Sequence, residues 1–323
     1  MKALTLTAVN APLELLDRDP PTPKSADEVV VDLKAASLNR RDHWISRGMY
    51  PSIICPVVLG SDGAGIEFGS QREVIINPGW DWGDNQYAQS DQFSILGMPV
   101  DGTFAEQVVV PKQYVHDKPE HLDWSQAAAL PLAGVTAYRA LFVQAWLKQG
   151  DTVLINGVGG GVGAMAMRFA IAVGANVWVT SSSDEKIATA IRMGAKGGAN
   201  YTADKWWKEL AKQSVSPNVI VDSAGGSGYN ALISLAAPGA CIVNYGATVG
   251  PPEKLDLFKV FWKQLTLKGS TMGSPSDFAS MLDFVTEHQI APLIEQEFPL
   301  AEGNSAIELM AKSPQFGKYV LRI

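Results

Sequence analysis

Cysteine and histidine are scarce in this chain. Of its 323 residues only two are cysteines and four are histidines. They are Cys55, Cys241, His43, His116, His121 and His288. Two cysteines cannot form a disulfide framework or a zinc site built from thiolates, and the histidines lack metal-ligand spacing. The sequence therefore predicts no metal site.

Long apolar runs and a surplus of basic residues are also absent. No stretch is long enough to span a bilayer, and charges and prolines follow Met1–Leu6 too soon for a signal peptide. The chain has 26 basic and 33 acidic residues, a net charge of −7, which speaks against nucleic-acid binding. We expect a cytoplasmic protein without a membrane or nucleic-acid partner.

A glycine-rich stretch between two apolar runs organises the rest of the chain. The run Asp151–Asn156 suits a buried parallel strand, Gly157–Gly163 follows it, and Asn176–Thr180 suits a second strand after a helix. Glycines at every third position allow a sharp turn and let a pyrophosphate approach the helix N-terminus. The stretch predicts a dinucleotide-binding βαβ unit. A flexible loop in a nucleotide-free α/β fold is the alternative.

The usual acidic residue is missing after the second strand. An Asp or Glu there would bind the ribose hydroxyls of NAD, but this chain has Thr180 and three serines, followed by Lys186. Hydroxyls and a cation suit a 2′-phosphate, whereas a carboxylate would repel it. Asp184 fits better as an acidic residue in the first turn of the next helix. The pattern favours NADP(H) over NAD(H), and a solvated helix lysine is the alternative interpretation of Lys186.

Two domains are expected from the length and from the order of the elements. Short strands and glycine turns before about Asp123 predict a barrel-like β domain, with Pro78–Gly97 as a polar loop. Alternating strands and helices then predict a doubly wound parallel sheet, including helices over Thr136–Leu147 and Lys186–Met193. We place the β domain at residues 1–124, completed by 275–323, and the nucleotide domain at 125–274.

Several motifs together resemble the medium-chain dehydrogenase/reductases, over essentially the whole chain. The motifs are Leu38-Asn39-x-x-Asp42, Arg47–Pro51, Leu59–Gly65, Gly134–Tyr138, Asn156–Gly163 and Ser181–Lys186. The chain is most similar to the zinc-independent quinone oxidoreductase branch, relatives of zeta-crystallin. The resemblance implies an α/β protein with a Rossmann sheet and a GroES-like, β-barrel-type catalytic domain. Asn39 and Ser61 stand about where zinc-dependent relatives have a Cys and a His.

The resemblance also implies a substrate site in the first domain, formed by Asn39, Asp42, Trp44 and Tyr50. The Tyr50 hydroxyl would orient the acceptor or relay a proton, although an aromatic ring packed at a turn is the alternative. Trp44 stands where the family often has tyrosine. A purely structural Asp42, holding the loop, is also an open interpretation.

The glycine turn, the serine cluster and the resemblance together predict the residues that bind NADP(H). They are Thr136, Gly157, Gly159, Gly160, Gly161, Val162, Ser181, Ser182, Ser183, Lys186, Tyr201, Tyr245, Gly246, Thr271, Met272 and Lys318. A solvated lysine is the alternative for Lys318.

Without a zinc Lewis acid, the protein would supply position and a dry cleft, and the acceptor would need little activation. We therefore expect NADPH-dependent hydride transfer to a quinone or an α,β-unsaturated carbonyl. An enoyl-thioester reductase and a non-catalytic NADPH-binding structural or sensing protein are the alternatives. The resemblance further implies a homodimer formed through an edge strand near residues 265–270.

Overall fold

A computed structural model describes residues 1–312 and 314–323. The chain divides into two compact units, and each is described by itself. The first unit contains Met1–Val135 and Ser274–Ile323, and the second contains Thr136–Gly273. Within the described residues, no helix is both long and apolar enough to cross a membrane.

The elements follow one another along the chain in two series. The strands are β1 Lys2–Leu6, β2 Leu13–Asp17, β3 Glu28–Ser37, β4 Val57–Val58, β5 Asp62–Glu67, β6 Glu73–Ile76, β7 Gly79–Trp80, β8 Ser94–Ile95, β9 Gln107–Pro111, β10 Val115–Asp117, β11 Thr152–Asn156, β12 Asn176–Ser181, β13 Gly197–Asn200, β14 Val219–Asp222, β15 Cys241–Asn244, β16 Thr266–Gly269, β17 Ile294–Pro299 and β18 Lys318–Arg322. The α-helices are α1 Arg40–Ser46, α2 Trp124–Ala129, α3 Pro131–Tyr138, α4 Gly161–Ala172, α5 Asp184–Arg192, α6 Trp206–Lys212, α7 Tyr229–Leu235, α8 Leu257–Trp262, α9 Pro275–Glu287 and α10 Gly303–Ala311. Short 3-10 helices lie at Lys112–Tyr114 and Leu300–Glu302, and a π-helical turn lies at Arg139–Gln144.

The first unit is built around β3. Its residues alternate between buried and less buried positions, so Val29, Val31 and Leu33 enter a core with side chains of β6 and β9. The larger sheet has the order β10-β6-β5-β3-β18-β17, with β9 also paired to β3. This is the predicted GroES-like β unit. The register places Ser37 of β3 opposite both Asp62 of β5 and Val320 of β18.

The segment Pro78–Gly97 is more ordered than the polar loop that we expected. It contains the β7–β8 hairpin, and Trp82 within it is only 2% exposed. The Trp82 ring packs edge-to-face on Phe93, with 5.3 Å between the ring centres. Trp80 stacks on Tyr114, with 5.6 Å between the ring centres. The aromatic side chains of the segment therefore pack on one another and on Tyr114, and the polar residues between them conceal this packing in the sequence.

The second unit contains the predicted parallel sheet, in the order β13-β12-β11-β14-β15-β16. All of its strand pairs are parallel. The central strands β11 and β14 are mostly apolar because helices cover both faces of such a sheet. The doubly wound α/β fold is confirmed.

Helix boundaries show where local patterns were insufficient. Asp123 is the N-cap of α2, since its Oδ1 accepts the Gln126 N–H at 2.8 Å. The predicted helix over Thr136–Leu147 instead begins at Pro131, and its end is the π-helical turn. Proline fits the first helical position because its missing N–H has no partner there. Helix α5 begins two residues earlier than predicted, with Asp184 in its first turn.

Candidate active site

The glycine turn in the second unit has the geometry of a phosphate cradle. Strand β11 ends at Asn156 and α4 begins at Gly161, so the predicted residues Gly159–Val162 lie in the turn and the first helical turn. Gly157 has φ +83°, a conformation that favours glycine. A Cβ at position 163 would lie 2.6 Å from the Gly157 carbonyl oxygen, so α4 can approach the turn only with glycine there. No described side chain caps α4 at Gly160, which leaves room for an anion at the helix N-terminus.

A row of polar side chains crosses the carboxyl edge of the parallel sheet. The carboxylate of Asp222, which is fully buried, accepts the amide N–H groups of Asn156 at 2.6 Å and Asn244 at 3.0 Å. Thr180 donates to Asn156 Oδ1, and the Tyr229 hydroxyl donates to Asn244 Oδ1 at 2.6 Å. Burial and the nearby Asp222 charge raise the pKa of Tyr229 to about 12, so this hydroxyl keeps its proton. The row fixes the edge on which a dinucleotide would lie.

Sequence reasoning did not identify this row. The sequence nevertheless contains a pattern that could have identified it. Asn156, Asp222 and Asn244 are each the last residue of an otherwise apolar strand. The register Asn156↔Asp222↔Asn244 brings the three together, and this pairing depends on strand order, which the sequence does not state.

The predicted 2′-phosphate residues surround the start of α5. The Ser183 hydroxyl accepts the backbone N–H of Lys186 at 3.3 Å and so caps the helix, while Ser181 Oγ accepts the Ser183 N–H at 3.2 Å. Ser182 is exposed, and Tyr201 is 44% exposed with its N–H bonded to the Ser181 carbonyl. The serines, the lysine and the tyrosine thus lie at one corner of the sheet, and no acid ends β12.

The remaining predicted cofactor residues of the second unit fall on two segments. The Thr136 hydroxyl lies 3.8 Å from the Met272 sulfur, and both side chains are buried. Thr271 beside Met272 is exposed. Tyr245 follows β15, its N–H bonds to the Asp222 carbonyl, and Gly246 passes close to Ser223. Burial raises the pKa of the Tyr245 hydroxyl to about 12.

The first unit contains a buried polar cluster. It includes Asn39 and Asp42 of the predicted substrate site and Lys318 of the predicted cofactor site. The Lys318 ammonium donates to Asn39 Oδ1 at 2.6 Å and to Asp62 Oδ2 at 3.2 Å. The Asn39 amide donates to the same Asp62 oxygen at 2.7 Å. Ser37 Oγ and the Leu132 N–H also donate to Asp62. Asp62 was not predicted as a site residue, and a cofactor role for Lys318 stays a prediction.

Asp42 and Arg41 extend this cluster at the start of α1. Asp42 Oδ2 accepts the Asn39 N–H at 2.7 Å, whereas Oδ1 is buried without a hydrogen-bond partner in the described residues. Burial raises the pKa of Asp42 to about 6, against the opposing effect of Arg41. Arg41 donates to Ser61 Oγ at 2.6 Å and to the Leu96 carbonyl at 2.9 Å. Asp42 therefore holds the Asn39 backbone, as its structural interpretation proposes.

Tyr50 and Trp44 lie at the border of this cluster. The Arg41 guanidinium carbon lies 5.4 Å from the centre of the Tyr50 ring, and Tyr50 also packs against the apolar core of the unit. Trp44 is half-buried on α1. A half-buried phenol beside a cation can present its hydroxyl to a ligand, so both interpretations of Tyr50 fit its position.

The fold and the two groups of residues define a class of protein, an oxidoreductase with a nucleotide-binding parallel sheet and a GroES-like unit. Family models agree: residues 25–120 match an alcohol dehydrogenase GroES-like domain, and residues 161–287 match a zinc-binding dehydrogenase. The chain belongs to the medium-chain dehydrogenase/reductase superfamily, among zinc-type alcohol dehydrogenase-like proteins. It is therefore an oxidoreductase, and the superfamily supports a pyridine nucleotide as its cofactor.

Three similar proteins illustrate the range of this superfamily. The zinc-type alcohol dehydrogenase-like protein YogA of Leptosphaeria maculans is 34% identical, over 97% of this chain and 95% of its own. A crystal structure of an NAD-dependent alcohol dehydrogenase is 34% identical with a TM-score of 0.94, covering 100% of both chains. The quinone oxidoreductase of Thermus thermophilus, solved also with NADPH, is 27% identical with a TM-score of 0.83, again over 100% of both chains.

The zinc implied by these names does not fit the side chains of the first unit. The polar cluster offers amide, hydroxyl and carboxylate oxygens, and it already contains a lysine ammonium. In the described residues, no group of three or more His, Cys, Asp or Glu side chains could hold a metal ion. Cys55 and Cys241 are free thiols. Zinc sites in proteins use thiolate, imidazole and carboxylate ligands, which this cluster does not assemble.

A pyridine dinucleotide, by contrast, fits the residues of the second unit. The open space at Gly157 and Gly160, where an added Cβ would meet no atom within 4 Å, is a surface that a pyrophosphate can approach.

Proposed function

We propose that this protein is a zinc-independent, NADPH-dependent oxidoreductase of the quinone oxidoreductase branch, which reduces a quinone or an α,β-unsaturated carbonyl. The observation that carries the proposal is the buried cluster of Asn39, Asp62 and Lys318, which has no donor set for a Lewis-acid metal. Without such a metal, a simple ketone or aldehyde is poorly activated. Quinones and enones accept hydride more readily, because the resulting charge is delocalised over the conjugated system.

NADPH is the proposed cofactor because hydroxyls and Lys186, rather than a carboxylate, follow β12. The exposed Ser182 and the capped first turn of α5 provide donors for a phosphate. The nearest acid, Asp184, accepts a hydrogen bond from the Asn200 side chain at 3.0 Å, so a described partner already occupies it.

The chain's own residues would position the reactants and handle the proton. Bound NADPH would supply the hydride. The glycine turn and the Asp222 row would hold the dinucleotide on the sheet edge, and the Tyr50 hydroxyl would orient the acceptor oxygen or relay its proton. Asn39 would be held in place by Asp42, Asp62 and Lys318.

Alcohol oxidation with NAD is the second candidate. It is favoured by the similarity to an NAD-dependent alcohol dehydrogenase and to the L. maculans protein. A dehydrogenase of that kind needs a way to stabilise the alkoxide, and the first unit would have to provide it without thiolate or imidazole ligands.

Cofactor oxidation with a panel of acceptors tests both candidates. NADPH and NADH would each be followed with quinones, enones and enoyl thioesters, and NADP⁺ and NAD⁺ with primary and secondary alcohols. We expect NADPH to be consumed with quinones or enones. Turnover confined to alcohols and NAD⁺ would overturn the proposal, and turnover confined to enoyl thioesters would move the protein to that related class. Binding of NADPH with no turnover of any acceptor would leave a non-catalytic role.

We also propose a homodimer formed by a second copy of this chain. Strand β16 ends the parallel sheet with one edge unpaired in the described residues. The neighbouring helix α8 exposes Leu257, Phe258, Phe261 and Trp262 by 61% to 74%. An unpaired edge beside an apolar helix is costly in water, and a two-fold axis would cover both with the same elements of the partner.

A further inference from the structure

Two carboxylates and two cationic side chains are buried together in the first unit. Asp42 and Asp62 are fully buried, and Arg41 and Lys318 are 6% and 4% exposed. Buried charges of this kind are stable only when they are paired and hydrogen-bonded. With two charges of each sign, the cluster is balanced without any added ion.

Three side chains at the centre of this charged cluster form a closed triangle of hydrogen bonds. Lys318 Nζ contacts Asn39 Oδ1 and Asp62 Oδ2, and Asn39 Nδ2 contacts the same Asp62 oxygen. Neighbouring strands bring these side chains together, because β3 lies between β5, which begins at Asp62, and β18, which begins at Lys318. The ammonium is thus part of the sheet framework and is not a mobile surface group.

A metal ion and this ammonium exclude each other. A divalent cation bound to the Asn39 and Asp62 oxygens would sit about 2.0–2.6 Å from them. It would then lie within a few ångströms of Lys318 Nζ, where two cations repel strongly in a buried environment. The ammonium thus adds charge repulsion to the lack of thiolate and imidazole ligands, and both disfavour a metal ion at this cluster.

We propose that the Lys318 ammonium is the permanent cation of this site, in the electrostatic place that a metal ion would hold, and that it positions Asn39 and Asp62 for the acceptor. Only the positioning of Asn39 and Asp62 for the acceptor rests on the proposed function. Lys318 is a positioning residue, because its contacts are with Asn39 and Asp62.

Chemical rescue tests the need for a cation. Lys318→Ala removes the three side-chain carbons beyond Cβ and the ammonium, a fragment that n-propylammonium matches. We expect kcat with the best quinone or enone to fall about 100-fold, because Asn39 and Asp62 would lose their position and a small misplacement of active-site groups costs about this much. n-Propylammonium should restore at least about tenfold of this loss, whereas n-propanol, which has nearly the same size and no charge, should not. Wild-type kcat in Lys318→Ala, or equal rescue by both compounds, would overturn the positioning role.

A double-mutant cycle tests the charge balance without cofactor or acceptor. Lys318→Met leaves Asp62 without its cation and should lower the melting temperature, and adding Asp62→Asn should recover part of that loss. The exposed pair Lys2–Asp17, at 2.7 Å in the same unit, is the matched control, and Lys2→Met should change little. Additive losses from Lys318→Met and Asp62→Asn would overturn the pairing.

Zinc titration of the same variants completes the test. We expect Lys318→Met to bind Zn²⁺ or Mn²⁺ at least about tenfold more tightly than the wild-type protein, because the repelling charge is gone. Equal affinities would show that the ammonium does not hold the cation position. These stability and binding readouts need no turnover, so they stand even if the proposed quinone or enone substrate is wrong.

Discussion

Asp42 shows how burial sets the chemistry of a single residue. It is fully buried, one of its oxygens has no described partner, and burial raises its pKa to about 6. Arg41 and Lys318 favour the charged form, and Asp62 opposes it. At neutral pH the carboxylate is held ionised at a free-energy cost, which the Asn39 hydrogen bond partly offsets.

This cost predicts a pH-dependent stability. The folded pKa is raised above the reference value of 3.8 to about 6, so the stability contribution is present below 3.8 and is lost as pH rises through about 6. The loss amounts to about 3 kcal/mol. Asp42→Asn cannot titrate, so the free energy of unfolding of wild type minus that of the variant should fall by this amount between about pH 4 and pH 7. Denaturant unfolding of both proteins measures it, and a pH-independent difference would contradict the assigned pKa.

Tyr50 is the residue whose two interpretations differ most in consequence. If its hydroxyl acts on the acceptor, Tyr50→Phe should lower kcat by about 100-fold and leave the NADPH dissociation constant nearly unchanged. The phenyl ring keeps the packing on Arg41 and the core. Tyr87→Phe, at a side chain that is 92% exposed, is the control. Full turnover of Tyr50→Phe on quinones and enones alike would leave packing as its role.

At the scale of elements, the β12–α5 corner determines the choice of cofactor. Ser183 caps α5, so the helix start, Ser182 and Lys186 are held as one local unit. A 2′-phosphate at this corner would meet hydroxyls, a helix N-terminus and a cation.

Lys186→Ala should therefore weaken the binding of NADPH and leave the binding of NADH nearly unchanged. A hydrogen bond to a charged group contributes about 1.5–3 kcal/mol, which corresponds to roughly ten- to a hundredfold in the NADPH dissociation constant. Ser182→Asp should shift the cofactor preference further toward NADH, because its carboxylate repels the 2′-phosphate and accepts a hydrogen bond from the free ribose hydroxyl. Lys212→Ala, which removes an exposed lysine paired with Glu209, is the control. Both dissociation constants should be measured at one ionic strength. Equal weakening of both cofactors would place the 2′-phosphate pocket elsewhere.

On the scale of the whole molecule, the exposed aromatic helix α8 carries the proposal of a dimer. Phe258 and Trp262 stack on each other and are 67% and 74% exposed. Replacing both with aspartate should barely affect the folded monomer, but should raise the dimer dissociation constant at least roughly 30-fold, since interface aromatics each contribute about 2 kcal/mol or more. Phe68→Asp, at a 68% exposed aromatic of the first unit, is the matched control. Sedimentation measures the result, and an unchanged association state would remove α8 from the interface.

Metal content is a second property of the whole molecule. Because the described residues of the first unit assemble no thiolate or imidazole donors and contain Lys318 instead, the purified protein should hold no stoichiometric zinc. Chelators should leave turnover unchanged. About one tightly bound zinc per chain, required for activity, would contradict the proposed function.

Local patterns in the sequence were enough to predict most elements and the nucleotide-binding unit. Strands β11 and β12 and the glycine turn after β11 follow from apolar residues and glycines, which act over a few neighbouring positions. The substitution of hydroxyls for the acid after β12 is equally local, so it too was visible before the fold.

Which polar side chains share a site depends instead on the tertiary fold. Asn39 and Lys318 are 279 residues apart in the chain and meet because β3 and β18 are neighbours. Asn156, Asp222 and Asn244 meet through the register of three parallel strands, and Asp42 has a raised pKa because the fold buries it. Strand order, register and burial arise from the packing of the whole chain, and no local pattern encodes them.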